Sequence, residues 1–160
     1  MNNSAFDVIL SGQLDAKDIE LALTELIPRG LKVDVFTTDD DLPDEVGAIW
    51  SYTSETSDPA WPCILKVIFL SDKCELGSYP DLRIAKYLSE RFSIDVFLWT
   101  NTYPFMGNID PQDPYWSLAY ISQQWYLAST VQMSLLMGGT NEQSASINLV
   151  RPVIIPDIMK

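Results

Sequence analysis

The chain has 160 residues, enough for one domain spanning 1–160 and too few for two ordinary ones. Its 47% hydrophobic content, with five Trp, seven Tyr and six Phe, excludes disorder as the overall state. Twenty-two acids against ten bases and no histidine give a net charge of −12. That balance excludes histidine-based catalysis and His-liganded zinc, and it argues against nucleic acid or anionic membrane as a partner.

In chain order, Phe6–Leu10 is an apolar run ending at the turn signal Ser11-Gly12, and it reads as a first strand. Asp15 then opens a helix, its side chain suited to cap first-turn amides. Ile19, Ala22, Leu23 and Leu26 form its buried face, and Pro28 and Gly30 stop it. Leu31, Val33 and Val35 alternate with Lys32 and Asp34, which predicts a strand with one wet face. Residues 48–53 read as another strand, and 63–70 as a more deeply buried one. The links joining these three strands suit hairpins and are too short for crossovers.

Pro80 stands at a first helical position, and Leu82, Ala85, Leu88 and Phe92 give the second helix its apolar face. Residues 94–99 follow as a strand. The stretch 115–137 suits either a helix or two strands turning at Ser122-Gln123-Gln124, and the hairpin is preferred. A last strand covers 147–155, where Pro152 indicates an edge position or a bulge. The order β-α-β-β-β-α-β, then a hairpin, predicts a two-layer α+β domain, a mainly antiparallel sheet with two helices on one face.

Residues 1–7 show neither a basic leader nor a long apolar run, and no segment is apolar enough to span a membrane, which predicts a cytoplasmic protein. Cys63 and Cys74 lack a metal-type spacing and read as reduced thiols, Cys63 buried in its strand.

The charge is unevenly placed. Residues 1–60 carry a net −10, residues 61–100 are neutral, and residues 101–160 carry −2. Between Asp34 and Asp58 lie Asp39, Asp40, Asp41, Asp44, Glu45 and Glu55, with no base among them. Their mutual repulsion predicts a surface segment whose charge is not neutralised internally. Trp50, Tyr52 and Trp61 are interleaved with these acids. The plain reading is a solvated loop that aids solubility. The functional one is a docking surface for a basic protein, with acids steering the encounter and aromatics as anchors.

Other chemistry finds less support. The run Asp39–Glu45 has Pro43 at a ligand position and lacks the glycine of a calcium loop. Asp110 and Asp113 stand beside Pro111 and Pro114, where acids form turns. Gly138-Gly139 lacks the lysine of a phosphate loop, and Cys74 has no histidine base. No cofactor and no catalytic residue is expected.

The strand and helix over 5–27, the acidic middle, the second helix leading into Ser93–Leu98, and the tail hairpin at 114–118 and 125–128 together resemble small bacterial immunity proteins of polymorphic-toxin and contact-dependent inhibition systems. The resemblance covers about residues 5–131 and carries no diagnostic motif. It implies a non-enzymatic cytoplasmic protein that binds and blocks a cognate toxin. A basic toxin, such as a nuclease, would suit the acidic segment. Two other classes fit the composition: an acidic secretion chaperone, and an enzyme using carboxylates with a divalent cation.

Overall fold

The structure, a computed structural model, describes residues 5–37, 49–56, 59–69, 76, 79–99, 116–129 and 148–155. Their elements are β1 (Ala5–Leu10), α1 (Ala16–Leu26), β2 (Val33–Thr37), β3 (Ile49–Glu55), β4 (Cys63–Phe69), α2 (Pro80–Phe92), β5 (Val96–Trp99), β6 (Trp116–Ile121), β7 (Gln124–Ser129) and β8 (Asn148–Pro152). The strands form one eight-stranded sheet in the order β2-β3-β4-β1-β5-β6-β7-β8. The fold is α+β, as the sequence predicts.

One pairing differs from expectation. β3 and β4 are antiparallel neighbours, but β2 and β3 run parallel, with Val33 opposite Ile49 and Thr37 opposite Thr53. The cause lies in α1. The helix carries the chain from the end of β1 back across the sheet, so β2 starts in the same direction as β1. β3, antiparallel to β4 just as β1 is, also runs that way. A strand docked outside β3 must then be parallel to it. Within this arrangement the set β3-β4-β1-β5 with its two helices has the strand order of the split β-α-β, or ferredoxin-like, motif. β2 extends it at one edge, and β6, β7 and β8 at the other.

Alternation assigns the two faces. On one face Val8, Leu10, Leu65, Val67, Val96, Leu98 and Leu118 form a buried core with Ile19, Ala22 and Leu23 of α1 and Leu82, Ala85 and Leu88 of α2. Both helices therefore pack on one side, and their spacing of apolar residues is what makes this possible. β4 is central yet buried only at alternate positions, with Lys66 exposed, rather than throughout. The opposite face holds a smaller dry cluster of Ile9, Phe97, Ala119 and Ala128. Trp61 covers it, with its ring edge-on to Phe97 at 4.8 Å. Burial pushes the Cys63 thiol above its ordinary pKa, which makes it a weak nucleophile. Cys74 lies outside the described residues.

Local signals behave as their chemistry dictates, with one exception. Asp15 occupies the N-cap of α1, but its side chain makes no cap hydrogen bond; its backbone carbonyl accepts from the Ile19 amide at 3.1 Å. Pro80 begins α2, and Ser93 ends it in the left-handed conformation. Between the helices, Glu25 accepts from the Tyr87 hydroxyl and from Arg91 Nε at 3.4 Å. The Tyr87 bond, then Arg91, holds the Glu25 carboxyl below its usual range. β6 and β7 form the expected hairpin, turning through Ser122 and Gln123 at φ 50° and 65°. β8 lies at the sheet edge with a register shift opposite Leu127/Ala128, so Pro152 indeed marks an edge strand with a bulge. No helix among the described residues is long and apolar enough to cross a membrane.

Candidate functional site

The acid-rich segment falls between the two outermost strands at one edge of the sheet. β2 enters it and β3 leaves it; because these strands are parallel, Thr37 and Ile49 stand at opposite ends of the pair. Asp39, Asp40, Asp41, Asp44, Glu45 and Asp58 lie outside the described residues. Glu55, at the end of β3, is exposed. Trp50 pairs in register with Asp34 and Ile68. Tyr52, half-buried, pairs with Phe36 on one side and Lys66 on the other, and Lys66 in turn pairs with Asp7. These four residues make a transverse row on the helix-free face. The Lys66 ammonium is 3.6 Å from Asp7 Oδ1, too long for a hydrogen bond, and that oxygen is buried without a hydrogen-bond partner.

Two expectations for this edge need correction. Asp34 is not an exposed, uncompensated acid: it is 9% exposed and ion-paired with Lys32 at 3.1 Å. The segment's charge is therefore partly neutralised at its start, by a base two residues upstream on the same strand edge. Trp61 is 8% exposed and packs against Phe97, so it serves the sheet rather than offering a free anchor. Its loop is tied down locally, with the Thr56 amide donating to Pro62 O at 3.0 Å. Of the residues singled out in the sequence, the structure brings Tyr52 and Trp50 together on β3 with Glu55 at the strand end; Trp61 stands apart in the cover over Phe97.

A second feature went unsignalled in the sequence. A cleft of about 260 Å³ opens where α2 ends, lined by Ser89, Glu90, Ser93, Ile94, Asp95, Ser122 and Gln123. It joins the α2–β5 connection to the β6–β7 turn, segments about thirty residues apart in the chain, and no periodicity reports such a meeting. Among the described residues, no three His, Cys, Asp or Glu side chains gather where they could share a metal ion. The pairs Asp110–Asp113 and Gly138–Gly139 lie outside the described residues.

No family model, curated protein or solved structure matches this chain.

Proposed function

We propose that this chain is a non-enzymatic binding protein that neutralises a cognate, basic protein toxin, acting in the cytoplasm through its acidic edge. The observation that carries the reading is that the acid-rich stretch of sequence joins the two outermost strands at one edge of the sheet, β2 and β3, the second of which carries the half-buried Tyr52 and the exposed Glu55. A segment carrying this many acids and no base attracts a cationic partner and raises the association rate by steering. Tyr52 offers amphipathic contact area in the same strand, and aromatic residues of that kind dominate binding energy at interfaces. A nuclease would present its phosphate-binding surface to these carboxylates, and occupying that surface would stop its activity. The order of elements resembles immunity proteins in the same sense.

Co-expression tests this directly. The reading predicts a toxin-like reading frame immediately upstream of this gene, and the absence of any such frame would count against the reading. Its product, expressed alone in a bacterial host, should arrest growth, and co-expression of this chain should restore it. Growth arrest that persists in the presence of folded chain would overturn the proposal.

A further inference from the structure

We propose that the cleft at the end of α2 receives an arginine side chain of the protein partner; this deepens the reading of a basic partner and rests on it. The cleft is lined by two carboxylates, three hydroxyls and a carboxamide, and by no cationic side chain. The carboxylates are not equivalent. Glu90 accepts from the Tyr120 hydroxyl at 2.7 Å and pairs with Lys86 at 3.4 Å, so it is held and partly compensated. Asp95 is half-buried and has no ion pair among the described residues. One uncompensated negative charge therefore stands at the carbonyl end of a helix, where the dipole favours a cation.

The helix end adds an acceptor. The Ser93 and Ile94 amides both turn back to Ser89 O, and the Asp95 amide goes to Ser11 Oγ at 2.8 Å. The carbonyl of Glu90, a residue of the cleft wall, is thus left without its helical amide. A guanidinium carries five donors in a rigid plane and meets acceptors on several walls at once, whereas an ammonium is a point charge with three. Ile94 supplies an apolar wall for the plane and stem of such a side chain.

The cleft is also held in shape. Ser93, Ser122 and Gln123 all line it, and all three have left-handed backbone, at φ 54°, 50° and 65°. No other non-glycine residue among the described ones does. Such backbone is disfavoured for a residue with a Cβ, and it persists where surrounding structure enforces it. Ser11 fixes Asp95 from both sides, donating its amide to Asp95 O at 2.9 Å and accepting the Asp95 amide. Gly12 backs Ile94 so closely that a Cβ there would lie 3.0 Å from Ile94 Cγ2.

The probe is N-acetylarginine amide, titrated into the full chain labelled with ¹⁵N. Expected are shifts at the amides of Ser93, Asp95, Ser122 and Gln123 that saturate at about millimolar concentrations, and a loss of affinity of about tenfold or more in Asp95→Asn. Asp95→Asn leaves both backbone bonds to Ser11 in place, so an unchanged spectrum elsewhere certifies the fold. Unmoved cleft amides, equal binding by Asp95→Asn, or an equal response to N-acetyllysine amide would each overturn the assignment. The titration uses no toxin. Failure to neutralise the toxin alongside intact arginine binding would therefore refute the proposed function alone, and the reverse pattern would refute the cleft alone.

Discussion

Tyr120 is 3% exposed, yet its hydroxyl is spent on Glu90 at 2.7 Å, and burial followed by this bond pushes its pKa well above the ordinary tyrosine value. The folded chain therefore holds that proton more tightly than the unfolded one. Its contribution to stability is intact below about pH 10 and is lost as pH rises towards the raised value. Denaturant melts between pH 9 and 11 should show this loss, and Tyr120→Phe should flatten it. Phe97 makes a simpler case. It is fully buried between the sheet and Trp61, and Phe97→Ala should cost about 3–5 kcal/mol in the same melts. At this scale the sequence was readable where helical spacing decides burial, as at Ile19, Ala22 and Leu23, all fully buried. It was misleading at Trp61, because Asp58-Pro59-Ala60 reads as an open loop while the ring folds back over Phe97, some forty residues on in the chain. Asp34 misled for a related reason: alternation places it off the helix face, but Lys32 and the neighbouring strand cover it.

Among elements, the β6–β7 hairpin carries a turn whose two central residues both need positive φ, a role suited to Asn-Gly and here filled by Ser122-Gln123. Replacing the pair with Asn-Gly should stabilise the chain by about 1 kcal/mol, read as a higher denaturant midpoint with unchanged slope. The preference for a hairpin in this region rested on its β-branched and aromatic residues, and pairing with β5 on one side and β8 on the other made it decisive. β8 is blunted in three ways as an edge strand: by the register shift around Val150, by Arg151 and by Pro152. Leu149 and Val150 remain 44% and 50% exposed there. Arg151→Val with Pro152→Val should therefore promote self-association, seen as a larger mass by light scattering; a monodisperse double variant would show that the edge is guarded otherwise. The parallel β2–β3 pair escaped sequence reading because link length alone suggests a hairpin, while strand direction is set by α1, earlier in the chain.

For the whole molecule, the decisive quantity is where charge sits. The described residues form one sheet with its helices on one side, and the excess negative charge belongs to residues 1–60 of the sequence, which include β2 and β3. The Asp95 cleft lies away from that edge, beyond β4 and β1, so a partner engaging both would span the sheet. The crowding of acids between β2 and β3 was legible from composition by segment, but not that these two strands form one end of the sheet. The cleft was not, because it is assembled from a helix end and a hairpin turn that only folding brings together. The central claim, that the acid-rich segment captures a basic toxin, is tested most directly by stopped-flow association of this chain with the toxin domain that the reading predicts to be encoded immediately upstream, measured across ionic strength. The account predicts a rate constant that falls steeply with added salt, and a slower, flatter dependence when Asp39, Asp40, Asp41 and Asp44 are changed together to Asn. Salt-independent association, or a fourfold variant that associates as fast as the parent, would contradict it.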